Sequence, residues 1–173
     1  MRLIAILFSL LATSALAEDT VSEPPMTYER LGRIVLTLDP EAQPRGDMFE
    51  LRISGQHVIV VIDRVADRMR VMAPIREADG IEADEMRRMM QANFDSALDA
   101  RYALANGVLW STYIHPLSPL ERDQFIEGVA QTVNAAQTYG TLYTGGLLQF
   151  GAGDSGALQN DLLEELLKRG QDI

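Results

Sequence analysis

Three apolar runs joined by connections of only a few residues limit this chain more than any other feature. Phe49, Leu51 and Ile53 alternate with Glu50, Arg52 and Ser54, the period of two that marks a half-buried strand. After a turn at Gly55-Gln56, the stretch from His57 to Asp63 is almost wholly apolar, as in a central strand covered on both faces. Beyond a polar turn at Ala66-Asp67, Met69, Val71 and Ala73 alternate with Arg68, Arg70 and Met72. A parallel return needs a crossover of about a dozen residues, so these three strands must be antiparallel neighbours. Asn106-Gly107, flanked by Arg101 to Ala105 and Val108 to Ile114, adds a two-residue hairpin, because this pair readily takes the positive φ that a type I′ turn demands.

Helical spacing fills the intervals. Thr27 can cap a helix with Tyr28, Leu31, Ile34, Val35 and Leu38 on one stripe, ended by Pro40 and Pro44-Arg45-Gly46. A second helix, from Ala83 to about Leu98, aligns Met86, Met89, Met90, Phe94 and Ala97. Ser118-Pro119-Leu120-Glu121 reads as an N-cap, a first-turn proline and a capping box opening a third, whose stripe is Phe125, Ile126, Val129, Val133 and Ala136. Residues Thr144 to Gly156 carry five glycines and precede an amphipathic C-terminal helix with Leu158, Leu162, Leu163, Leu166 and Leu167 on one face and Gly170 as its stop. The expected fold is α+β, in the order α-β-β-β-α-β-β-α, with a five-stranded antiparallel sheet packed by helices.

Met1 to Ala17 has the layout of a secretory signal peptide: Arg2, an apolar run from Leu3 to Leu11, and Ala15-Leu16-Ala17 before Glu18. Export to the periplasm or beyond is therefore expected, with cleavage after Ala17 and no membrane attachment afterwards. The chain contains no cysteine, so packing alone has to stabilise it. Its net charge of −10 repels nucleic acid and anionic lipid at long range. No cofactor or metal is expected, since the two histidines, His57 and His115, are isolated and no pair has ligand spacing.

The order of elements resembles the type III secretion chaperone (Tir-chaperone-like) fold and the related bacterial sensory-transduction regulator family. Leu31 to Val35, the Phe49 to Ala73 meander, Met89-Met90-Gln91-Ala92-Asn93, the Ala100 to Tyr113 hairpin with Trp110, and the helix from Ser118 carry the likeness. The resemblance implies a small, dimeric, non-enzymatic protein that holds or regulates other polypeptides, with a domain over residues 18–143. The leader, the glycine-rich linker over 144–156 and the final helix over 157–173 lie outside that pattern.

Reactive chemistry is poorly served. Gly153-Asp154-Ser155-Gly156 looks like a serine-protease nucleophile loop, yet Ser155 would need His57 or His115 as base and a carboxylate to orient it. A capping role in a glycine hinge is the simpler account. Glu82, Asp84 and Glu85 suit the positive end of a helix. Arg52, Arg64, Arg68 and Arg70 gather on and between neighbouring strands; pairing with Glu50 and Asp63 is expected, and an acidic ligand is the alternative. Polypeptide binding is expected instead at Met86, Met89, Met90 and Phe94, at the hairpin aromatics Trp110 and Tyr113, and at Leu158, Leu162 and Leu166. The leading expectation is an exported, protein-binding, homodimeric module. The alternatives are a sensor of small anions using the strand arginines and, more remotely, a serine hydrolase.

Overall fold

The computed structural model describes residues 23–95, 97–140 and 156–171, with backbone only for Asp95 and for 156–159. The expected leader and the linker up to Ser155 lie outside them. In chain order the elements are α1 (Tyr28–Leu38), β1 (Gln43–Arg45), β2 (Met48–Ile53), β3 (Gln56–Asp63), β4 (Arg68–Glu77), α2 (Ala83–Asp95), β5 (Arg101–Ala105), β6 (Val108–Pro116), α3 (Arg122–Gln137) and α4 (Gly156–Gly170). The α+β class is as expected. The strands form one antiparallel sheet in the order β1-β2-β3-β4-β6-β5.

Turn chemistry sets this register. Asn106 and Gly107 both have positive φ, 52° and 73°, as a type I′ hairpin requires. Asp63 organises the β3–β4 turn by accepting the Val65 and Ala66 N–H groups on one carboxylate oxygen. The sheet has six strands rather than five: Gln43–Arg45, expected only to break the first helix, pairs with β2. Pro44 is tolerated there because β1 is an edge strand.

Alternation then sorts the side chains. Phe49, Leu51, Ile53, Val58, Val60, Ile62, Met69, Val71, Leu109 and Tyr113 are buried on the face covered by α1 and α3. Leu31, Ile34, Val35 and Leu38 of α1 and Phe125, Ile126, Val129 and Val133 of α3 complete the core. The β3 run is apolar throughout, but only Val58, Val60 and Ile62 are fully buried; Ile59 and Val61 lie on the opposite, partly open face. That corrects the expectation of a strand covered on both sides.

Helix–sheet approach is close enough to require glycine. A Cβ on Gly128 would lie 2.4 Å from the Tyr113 ring, and one on Gly32 would lie 2.9 Å from Phe49 Cζ. Tyr28 stacks on Phe49 from outside at 5.0 Å, and the Arg64 guanidinium covers Tyr28 at 4.2 Å. Helix α4 docks on α1 and α3 of its own chain: Leu166 is fully buried, Leu162 packs on the core, and Arg169 donates to the Leu38 carbonyl at 3.0 Å.

Of the two helix caps expected from the sequence, one forms and the other does not. Thr27 caps α1 as expected, accepting the Arg30 N–H at 3.2 Å. Ser118 does not cap α3: its N–H and hydroxyl donate to Asp67 at 2.9 and 2.6 Å, and the helix starts four residues later. Glu121 takes the N-cap position, its N–H donating to Gln124 Oε1 at 3.1 Å. Buried Gln131 accepts the Asp99 and Ala100 N–H groups and fixes the entry into β5.

Replacing Gly128 by alanine tests the close approach. Alanine is the better helix former by about 1 kcal/mol, yet Gly128→Ala is expected to lose about 1–3 kcal/mol in urea unfolding through overpacking against Tyr113. A gain in stability would contradict the packing.

Candidate protein-binding surface

Helix α2 carries the most exposed apolar side chains. It follows the Asp79-Gly80 turn, where Gly80 has φ 78°, and Asp84 and Glu85 occupy its first turn. Its inner side is held firmly. Met89 is 1 % exposed, and the Asn93 amide closes the sheet edge by donating to the Tyr102 carbonyl at 3.0 Å and accepting the Tyr102 N–H at 2.8 Å. At the other end Glu85 accepts the Tyr139 hydroxyl. With that side fastened, Met86, Met90 and Phe94, spaced by four residues, turn outward at 38, 52 and 70 % exposure. Leu98, just beyond the helix, and Leu104 on β5 are exposed as well. Scattered apolar residues need no explanation, but a row of them on a helix clipped down at both ends makes this the candidate surface.

The other sequence candidates fall elsewhere. Met89 and Leu166 are core residues, and Leu162 is partly buried against that core. The Leu158 side chain lies outside the described residues. Trp110 is half-buried on the face away from α3 and donates through Nε1 to the Ala105 carbonyl at 3.0 Å, within its own hairpin. Tyr113 is 6 % exposed, seated on Gly128, with His115 stacked beside it at 6.0 Å. Burial pushes the Tyr113 hydroxyl up to about 12, helped by Asp99 and Glu127, and burial with neighbouring Tyr139 does the same for Tyr102. Tyr113 is therefore a core aromatic whose ring gives a partner no surface to grip.

The histidines do not converge. His57 shares the face of Ile59 and Val61 and has its Nε2 3.9 Å from Glu50; His115 shares the opposite face with Tyr113. Ser155 lies outside the described residues. Among the described residues no group of three histidine or carboxylate side chains is arranged to hold a metal ion.

The strand arginines depart from expectation most clearly. Glu50 is taken by Arg45 of the unexpected β1 at 3.0 Å, and Asp63 is spent on its turn. Arg64 pairs with Asp47 at 2.9 Å. Arg52, Arg68 and Arg70 form no ion pair among the described residues, although Arg68 stands directly opposite Asp63 in register. Sequence reasoning missed this because nothing in the local pattern marks Gln43–Arg45 as a strand.

No family model matches the chain, and no curated protein matches it in sequence. Solved structures do match. One is the crystal structure of the ExsC–ExsE complex, with a TM-score of 0.52 and 13 % identity over 66 % of this chain and 93 % of the other. Another is the HopA1–SchA chaperone–effector complex, with a TM-score of 0.47 and 13 % identity over 66 and 98 %. At that identity the first likeness concerns the fold, and it supports the type III secretion chaperone-like architecture expected from the order of elements.

Two predictions follow from these placements. Met90→Ser and Phe94→Ser, on the open side, are expected to change unfolding free energy by no more than about 0.5 kcal/mol, whereas Met89→Ala is expected to cost about 2–5 kcal/mol; equal costs would contradict the orientation of α2. The second concerns alkaline pH. Folded Tyr113 and Tyr102 stay protonated where an unfolded tyrosine, with its ordinary value of 10.0, ionises. Their contribution is fully present below pH 10 and is lost as pH rises from 10 towards about 12. Urea unfolding across that window is expected to lose stability less steeply in Tyr113→Phe than in the native chain, and identical slopes would contradict it.

Proposed function

We propose that this chain is an exported, non-enzymatic, chaperone-like protein that binds other polypeptides through the open side of α2. The observation that carries the reading is the row Met86, Met90 and Phe94, exposed on a helix whose adjacent stripe is locked by Met89, Asn93 and Glu85. Methionine and phenylalanine adapt to varied apolar partners at little cost, and methionine is over-used on promiscuous binding surfaces. The chaperone-like fold supports the reading, and the net charge of −10 keeps a protein with such a surface soluble. The protein acts after removal of its leader, in the periplasm or outside the cell, as a homodimer.

The test uses an unfolded client, reduced and carboxymethylated α-lactalbumin, labelled for fluorescence anisotropy. The chain is expected to bind it with little dependence on salt, since apolar contact is screened weakly, and Met90→Ser/Phe94→Ser is expected to weaken binding about tenfold or more. Equal binding by that variant, or none by the native chain, would contradict the proposal.

A further inference from the structure

On the sheet face turned away from α1 and α3, register sets arginines among apolar side chains. Val61 faces Arg70, which faces Ile114; one step along the strands, Asp63 faces Arg68, which faces Pro116. Arg68 and Arg70 leave the same face of β4, separated by two residues or roughly 7 Å, and Met72 continues the line. Both arginines are exposed, and neither has an ion-pair partner among the described residues. A cleft of about 390 Å³ lies over them, walled by Val61 and Ile114, the latter 53 % exposed.

In a chain of net charge −10 carboxylates are plentiful, yet of the two beside these guanidiniums Asp63, at the rim of the cleft, holds its turn through Oδ1, and Asp67, whose charge reaches Arg68, is bonded to Ser118. Strand addition at the sheet edges is discouraged: Pro44 lacks an N–H in β1, and Asn93 occupies the outward backbone groups of Tyr102 in β5. A partner is thus directed to the face, where it is met by side chains. Two cations spaced like residues i and i+2 of an extended chain, followed by an apolar side chain, match a segment of acidic-x-acidic-x-apolar pattern laid along β4.

We propose that this face binds an extended acidic and apolar polypeptide segment, with its carboxylates on Arg68 and Arg70 and its apolar side chains on Met72, Val61 and Ile114. The inference rests on the polypeptide-binding reading above and adds to it a second surface and the charge of the partner. Carboxylate–guanidinium pairs are charge-assisted and directional, so here, unlike at α2, binding falls with salt.

The probe is a fluorescein-labelled peptide, Glu-Ser-Glu-Ser-Leu-Ser-Leu, titrated with the full chain and followed by anisotropy. Binding is expected, weakening as sodium chloride rises from about 50 to about 300 mM. Arg68→Gln/Arg70→Gln is expected to weaken it about tenfold or more, while Arg33→Gln/Arg88→Gln, the same change of net charge elsewhere on the surface, leaves it unchanged. No binding, equal binding of the lysine analogue, or equal binding by Arg68→Gln/Arg70→Gln overturns the inference. Free glutamate competing as well as the peptide overturns the segment in favour of a small anion. A chain that captures the unfolded client but ignores the peptide refutes this inference alone. A chain that binds the peptide but captures no client refutes the α2 reading and retains the arginine site.

Discussion

The Tyr113 ring rests directly on the backbone of α3 at Gly128, at a distance no Cβ could tolerate. That contact sets how near the longest helix lies to the centre of the sheet. Once α3 is down, Phe125, Ile126, Val129 and Val133 reach the inner side chains of β3, β4 and β6. The same device recurs at Gly32, where Phe49 fills the space a side chain would take, and at Gly170, where a Cβ would meet Ile126 at 2.5 Å. A glycine inside a helix costs about 1 kcal/mol relative to alanine, and here the cost is offset by bringing aromatic and aliphatic surface into van der Waals contact. A chain without disulfides depends on such packing.

This arrangement uses up one face of the sheet and leaves two surfaces of different chemistry. Helix α2 sits at the β5 edge, attached through Asn93 and Tyr139 rather than spread across the core, so its outer side stays apolar and open. The far face of the sheet is mixed, with unpaired arginines standing between Val61, Met72 and Ile114. With the edges blunted by Pro44 and Asn93, the strands are protected from pairing with copies of the same chain, while the far face of the sheet and the outer side of α2 stay open.

Most of the architecture is legible in local pattern, because its signals are local. The alternation in Phe49–Ile53, the positive-φ pair Asn106-Gly107 and the Thr27 cap each act within a few residues, and each appears as read. What sequence reasoning misses is set by distant competition. Ser118 has every mark of an N-cap but is claimed by Asp67, 51 residues away. Arg45 belongs to a strand that its proline conceals, and it takes Glu50, a carboxylate expected to pair with a strand arginine. The methionine stripe reads as one surface, yet Met89 is rotated by one residue from Met90 and lies in the core while Met86 and Met90 face outward. Amphipathic spacing shows that α2 has an apolar side wider than one neighbour can cover; only the packed structure shows which part is left over.

Those methionines provide built-in reporters. Mild peroxide oxidation followed by mass spectrometry, with and without bound α-lactalbumin, reads the accessibility of each thioether separately. Met86 and Met90 are expected to oxidise fast in the free chain and to be shielded in the complex, with Met26, Met69 and Met89 slow in both. Oxidation of Met89 as fast as Met90, or rates at Met86 and Met90 that do not change when the client is bound, would contradict it.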